Sequence, residues 1–225
     1  MRDWLTPTRL DTITQALRER LSPYRLAHTW GVAHWALHLS KRWGADDSEV
    51  LTAVLFHDIA KEESLDRQRA RIIEDLGAFP AEYEDQTSVW HALASAAVAR
   101  REFGVPVPEV LRAISLHPTG TVGMSLLEKI VFLADYTDLT RHWAGVGELR
   151  DLARRDLQAA VDDAIFSKTA HVLQKGRPLQ YQSFLALQEA QKRREEVLAS
   201  RSHCVNTSQA PALAVSAGGQ GKEIH

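Results

Sequence analysis

The strongest constraint on this chain is a pair of ionisable side chains set in apolar sequence, His57 and Asp58 within Leu55-Phe56-His57-Asp58-Ile59-Ala60-Lys61. Burying an imidazole and a carboxylate without partners is expensive. A metal ion bound by both removes that cost; the alternative is a helix end that exposes a solvated dipeptide. Neighbouring residues on a helix point about 100° apart, so both reach one ion only where the helix lies between others. His28 repeats the pattern, flanked by Leu26, Ala27 and Trp30, and so does Asp135 inside Ile130-Val131-Phe132-Leu133-Ala134-Asp135-Tyr136. Such a carboxylate needs a cation or several donors. Taken singly, His28 also fits a hydrogen-bonded core histidine, and Asp135 fits a partner of an arginine. Together they form a His, His-Asp, Asp set contributed by separate helices, the arrangement that a metal site in a bundle core requires.

The rest of the sequence supports an all-α fold. Thr6-Pro7 starts a helix with Leu10, Ile13, Leu17 and Leu21 on one face. Ser22-Pro23 opens a second helix that runs to Trp43, where Gly44 supplies a stop. Asp46 with Glu49, and Ser125 with Glu128, read as capping boxes before the His57 and Asp135 helices. Gly77 and Gly104 end two more helices, the second with His91 near its start. Pro118-Thr119-Gly120 breaks the chain after a helix ending near His117, and Gly176 and Pro178 separate the last two helices. Alternating β-branched runs are absent. Residues 1–200 therefore read as one helical domain. From His203 onward Ser, Gly, Ala and Gln dominate and periodicity vanishes, so residues 201–225 are expected to form a disordered tail.

Composition narrows the function. A formal charge of −2 over 225 residues gives no basic field for nucleic acid or anionic membrane. No apolar run is long enough to span a bilayer. One cysteine, Cys204, excludes an intrachain disulfide framework and fits a cytoplasmic protein; lying in the tail, it is a poor nucleophile.

With these residues in view, the chain resembles the HD-domain superfamily, whose pattern is a first His, a His-Asp pair and a later Asp. His91 in Val89-Trp90-His91-Ala92 and His117 in Leu116-His117-Pro118-Thr119 fall where two-metal members place two further histidines. The resemblance implies a first metal held by His28, His57 and Asp135, a second by His91 and His117, and Asp58 bridging them. Around these positions, His57-Asp58-Ile59-Ala60-Lys61, Met124-Ser125-Leu126, Leu133-Ala134-Asp135-Tyr136 with Arg141, and Leu149-Arg150 are similar to the YqeK-type bacterial hydrolases. Those enzymes split diadenosine tetraphosphate symmetrically into two ADP. The likeness runs over roughly residues 20–190. It departs at Pro118, which stands where Thr directly follows the fifth histidine, at Ala92 in place of Gly, and through Tyr136–Thr140, where the family carries a Glu and a Pro-Asn pair.

Two divalent transition-metal ions held close together suit in-line attack on a phosphate. Imidazole and carboxylate admit iron, manganese or zinc, and the resemblance favours iron. Lys61 and Arg141 read as phosphate-stabilising groups, against the plainer reading of a solvated helix-end lysine and a surface arginine; Arg150 offers the same choice. His34, His38, His142 and His171 read as surface or packing residues, and the tryptophans as packing residues with one free to stack on a base. The expected partner is a small dinucleoside polyphosphate or nucleotide, and the sequence leaves a homodimer open. Three functions fit: the symmetrical hydrolase; another HD nucleotide phosphohydrolase or di-iron oxygenase; and a non-catalytic metal-dependent nucleotide sensor.

Overall fold

The computed structural model describes residues 4–207, and among them it contains helices and no strand. In chain order the helices are α1 (Pro7–Arg20), α2 (Pro23–Trp43), α3 (Asp47–Phe56), α4 (Leu65–Leu76), α5 (Thr87–Arg101), α6 (Pro108–Leu116), α7 (Leu126–Thr137), α8 (Val146–Arg155), α9 (Leu157–Gln174) and α10 (Tyr181–Thr207). A short 3-10 turn, Ala81–Tyr83, precedes α5. No helix of the described residues is long and apolar enough to cross a membrane.

Capping explains most boundaries. Thr6 and Ser22 accept hydrogen bonds from the backbone N–H groups of Arg9 and Arg25, each just ahead of a proline in the first turn. Gly44 closes α2 at φ +76°, a conformation that costs an L side chain energy. Ser125 and Glu128 form the expected capping box, each side chain reaching the other's backbone N–H. At α3, Asp46 caps Ser48 and Glu49. Helix α10 continues to Thr207, past the boundary expected at residue 200. The remainder of the expected tail, residues 208–225, lies outside the described residues.

The chain divides into two compact units, residues 1–190 and 191–225. Every candidate site residue belongs to the first; the described part of the second is helical. In the first unit, α2 packs on α3 and α7, α5 on α4 and α6, and α6 on α3 and α7, while α9 packs on α7 and α8. Helix α7 is apolar on most of its circumference because it is central: Ile130, Val131, Leu133 and Ala134 are fully buried. Trp35 of α2 is buried against it and donates from Nε1 to Thr137 Oγ1 at 2.9 Å. This satisfies the indole and fixes the two helices that carry His28 and Asp135 relative to each other.

Leu133→Ala should lower unfolding free energy by about 2–5 kcal/mol, because a fully buried leucine leaves a cavity. Ser125→Ala should cost about 1 kcal/mol, the worth of one cap. Urea denaturation of the full chain and both variants checks the order; equal losses would show that α7 is held by its cap rather than by its burial.

Candidate metal centre

Five chain segments bring the six expected donors together. His28 lies on α2, His57 and Asp58 in the turn that closes α3, His91 on α5, His117 at the residue closing α6, and Asp135 on α7. His28, His57, Asp58, His91 and His117 are buried, and the Asp135 side chain is 14% exposed. Three sets of donor atoms each lie within 4.8 Å of one another: His28, His57 and Asp58; His57, His117 and Asp135; Asp58, His91 and His117. The sets share members, so the cluster is one contiguous constellation. Relative to the expected division, His117 stands with His57 and Asp135 as well as with Asp58 and His91.

Local backbone chemistry aims these rings. The last carbonyls of a helix lack intrahelical partners. His57 Nδ1 donates to Val54 O at 2.6 Å, and His117 Nδ1 donates to Ile114 O at 2.8 Å, each reaching three residues back. A carbonyl only accepts, so both protons sit on Nδ1 and both Nε2 lone pairs face the cluster. The turn after α3 is pinned in the same spirit. Ser95 Oγ accepts from Ala60 N at 3.1 Å, and the Gln68 amide donates to the carbonyls of Ala60 and Glu63.

His28 is oriented by Asp138, whose Oδ2 accepts from His28 Nδ1 at 3.1 Å and from Arg141 Nε at 2.9 Å. Asp138 is fully buried and was not singled out from sequence, although it follows Asp135 by three residues, the spacing of neighbours on one helical face. Gly31 makes room for it: a Cβ there would stand 3.0 Å from Asp138 Oδ1 and 3.2 Å from Thr140 Cγ2. A mid-helix glycine otherwise costs about 1 kcal/mol, and this close approach is its reason. Arg25, one turn before His28, also escaped the sequence reading; its Nη1 lies 3.3 Å from Asp58 Oδ2.

The centre contains a group that protein alone does not satisfy. Asp58 Oδ1 is buried and has no hydrogen-bond partner. Its neighbours are His91 Nε2 at 3.3 Å, His117 Nε2 at 3.6 Å and Lys61 Nζ at 3.9 Å. His57 Nε2 and His28 Nε2 likewise face each other at 3.3 Å, a contact satisfied either by a proton on one ring or by a metal ion held by both. An orphaned carboxylate oxygen ringed by imidazole nitrogens has the donor set of a divalent-metal site, and the residues present fit one.

The HD domain family model matches residues 25–140, the span that holds all six donors. The chain belongs to the HD-domain family. It is 35% identical over 170 residues to the symmetrical bis(5'-nucleosyl)-tetraphosphatase of Bacillus subtilis, covering 75% of this chain and 90% of that protein. The protein of the same name from Halalkalibacterium halodurans is 37% identical over 166 residues, covering 73% and 88%. The fold is similar to the crystal structure of a predicted HD superfamily hydrolase involved in NAD metabolism from Clostridium acetobutylicum, with a TM-score of 0.77 at 32% identity over 82% of this chain and 97% of that one.

Charge is arranged around this HD centre in opposing layers. Burial disfavours the His28 imidazolium, but hydrogen bonds to Asp135 and Asp138 and their charge overcome it, raising its pKa from 6.5 to about 9. His57 moves the other way, to about 4, because it is fully buried and lies beside His117 and His28, with Asp58 and Asp135 only partly compensating. Burial works against ionised Asp58 and Asp135; the imidazoles around them, with Lys61 for Asp58 and Lys168 for Asp135, hold both well below the usual carboxylate range. The metal-free centre thus keeps its carboxylates charged and parks a proton on His28.

The remaining expected residues separate clearly. Lys61 lies in the turn after α3 rather than on a helix, and its Nζ donates to the His91 ring at 2.9 Å from Nε2. Arg141 is 35% exposed and bound to Asp138. Arg150 is a structural clamp: its guanidinium donates to the carbonyls of Thr137, Asp138 and Arg141, tying the end of α7 to the loop that carries Arg141. His34, His38, His142 and His171 are exposed, with His38 stacked on Trp35.

Replacing Asp138 tests the orientation of His28. Asp138→Asn should weaken divalent-metal affinity about 10- to 100-fold, the usual effect of losing a ligand's hydrogen-bonded carboxylate. Metal must displace the His28 proton, so affinity in the parent should climb with pH until about 9. Without the Asp138 charge the climb should level off at lower pH. Calorimetric metal titrations of both proteins across that range decide it; superimposable profiles would show that Asp138 does not set the basicity of His28.

Proposed function

We propose that the chain hydrolyses diadenosine tetraphosphate symmetrically to two ADP, using two divalent transition-metal ions, iron first among iron, manganese and zinc. The observation that carries this reading is the orphaned Asp58 Oδ1 at the meeting point of the imidazoles. The relatives' shared name supports it, since the similarity covers 90% of the Bacillus subtilis protein. In this reading His28, His57 and Asp135 would hold one ion and His91 and His117 the other, with Asp58 available to both. Metal bound there supplies Lewis acidity toward phosphate oxygens and water.

The chain's own residues do the rest. Arg25, Lys61 and Arg141 project from the start of α2, the turn after α3 and the loop after α7, and they offset the negative charge of a tetraphosphate. Lys61 is suited to stabilise a developing charge because burial, with Arg25 and Arg141 nearby, lowers its pKa against the pull of Asp58 and Asp135. An ammonium so placed gains from a new anion. Arg141 stands on a loop clamped by Arg150 and anchored through Asp138, so it meets substrate with little left to order. Water adds to one inner phosphorus, and the bond from that phosphorus to the central bridging oxygen breaks. That oxygen leaves on the other half, giving two ADP, and the water's two protons pass to the two new phosphate termini or to solvent.

Turnover of diadenosine tetraphosphate in ¹⁸O-labelled water, resolved by ion exchange, should give ADP alone, with the label in one ADP of each pair. Asp58→Ala should abolish it, while Lys61→Ala should keep its metal and slow by about 10²-fold, as removal of one charge-stabilising donor does. AMP with ATP as products would place attack at an outer phosphorus. Full metal occupancy without turnover of any nucleotide would favour the sensor.

A further inference from the structure

Lys168 on α9 is a cation that the proposed mechanism leaves unused. It is half-buried, with Nζ 4.9 Å from the centre of the Phe132 ring and 5.6 Å from that of Tyr136. Both rings lie on α7, on either side of Asp135 in sequence. Three other cations surround the centre and each is committed: Arg25 to Asp58 at 3.3 Å, Arg141 to Asp138 at 2.9 Å, and Lys61 to the His91 ring. Among the described residues, Lys168 has no ion pair or hydrogen bond through its ammonium, and aromatic faces are its neighbours. Burial lowers its pKa, with Lys61 and Arg141 adding to the effect and Asp135 and Asp58 opposing it. It therefore lies within electrostatic reach of the cluster from an element that supplies none of the expected ligands. A desolvated ammonium held over two rings keeps some cation–π stabilisation but lacks an acceptor; an anion arriving there fills the gap.

The same lysine lines a cleft of about 650 Å³, a size suited to a small-molecule site. Phe132, Ile165 and Val172 give it an apolar wall, and Gln86, Thr119 and Gln180 add amide and hydroxyl groups. None of the six cluster donors lines it, yet Thr119 follows His117 by two residues and Phe132 precedes Asp135 by one helical turn. The cleft is thus built from the segments that carry the cluster. An apolar wall with a few convergent amides suits a heterocyclic base, and a cation that lines the cleft and feels the charge of Asp135 suits a phosphate.

We propose that this cleft takes one nucleoside of the dinucleotide and that Lys168 binds the phosphate joining that nucleoside to the metal centre. The proposal rests on the dinucleotide reading above and deepens it, since cleavage at the central bond requires a whole nucleoside diphosphate to be seated on each side. Lys168 is then a substrate-binding residue, and its loss appears chiefly in KM and in the affinity for the product ADP.

The test uses the full chain as purified, with Lys168→Met, Lys168→Arg and Val172→Trp, the last placing bulk in the cleft one turn from Lys168. Lys168→Met should keep its metal content and raise KM for diadenosine tetraphosphate on the order of 10- to 100-fold, the range for one hydrogen bond to a charged group. It should weaken ADP binding in calorimetry by a similar factor, with kcat changed only a few-fold. Lys168→Arg should recover most of the loss, and Val172→Trp should weaken both ligands. Parental KM and ADP affinity in Lys168→Met would overturn the proposal, as would parental values in Val172→Trp with the bulk in place. If Lys168→Met fails to fold, Lys168→Arg and Val172→Trp decide on the same two readouts. ADP binding that depends on Lys168 in a parent protein that turns over no dinucleotide would sink the hydrolase reading and leave the nucleotide cleft standing.

Discussion

Everything in the first unit is organised around the cost of keeping Asp58 charged and buried. Its Oδ1 has no hydrogen-bond donor, and four imidazoles present Nε2 within 4 Å of one or other of its oxygens, at 3.3 Å for His91, 3.6 Å for His117, 3.7 Å for His57 and 3.9 Å for His28. An uncompensated carboxylate in such a place would neutralise itself or unfold its surroundings. Here the imidazoles, Lys61 and Arg25 hold it ionised, and a divalent cation is the partner that satisfies the carboxylate and the ring nitrogens together. The helices are arranged to supply those partners from many directions. That is why α7, which passes through the middle, buries Ile130, Val131, Leu133 and Ala134 around the aspartate it delivers.

Precision comes from groups that never touch the centre. Two histidines spend their Nδ1 protons on the spare carbonyls of the helices they close, so helix termination and ligand orientation are one interaction. His28 is set differently, through Asp138, and that carboxylate reaches it because Gly31 leaves space at the crossing. Asp138 also holds Arg141, and Arg150 ties the carbonyls of the same loop. A single loop after α7 therefore fixes the basicity of one candidate ligand and the position of one candidate phosphate contact. Damage to it would be felt in both metal affinity and turnover.

His91 and His117 became candidate donors only through the family resemblance, whereas His28, the His57-Asp58 pair and Asp135 stood out because each sets an ionisable residue in sequence too apolar to be solvated. The helix boundaries were legible for the same kind of reason, since Pro, Ser and Gly act within a few residues of where they stand. Asp138 and Arg25 carried a fainter signal, one helical turn from Asp135 and His28, which becomes readable only once those positions are accepted as a site. Arg150 could not be sorted, because a guanidinium that clamps carbonyls and one that clamps phosphate look alike until the loop is folded. Lys168 was invisible: it sits on a helix without other site residues, and only tertiary packing of α9 on α7 brings it over Phe132 and toward Asp135. Helix α10 runs to Thr207, a few residues beyond the start of the expected tail, and residues 208–225 lie outside the described residues.

The central claim is that these six side chains form a metal centre that cleaves the middle of a tetraphosphate. The most direct measurement is to strip the full chain with a chelator and restore a divalent ion stepwise, following bound metal by elemental analysis and conversion of diadenosine tetraphosphate to ADP on the same samples. The account predicts no turnover in the stripped protein and recovery that rises with bound metal to a plateau near two ions per chain. Undiminished conversion by the stripped protein, or a plateau of bound metal with no ADP formed, would contradict it.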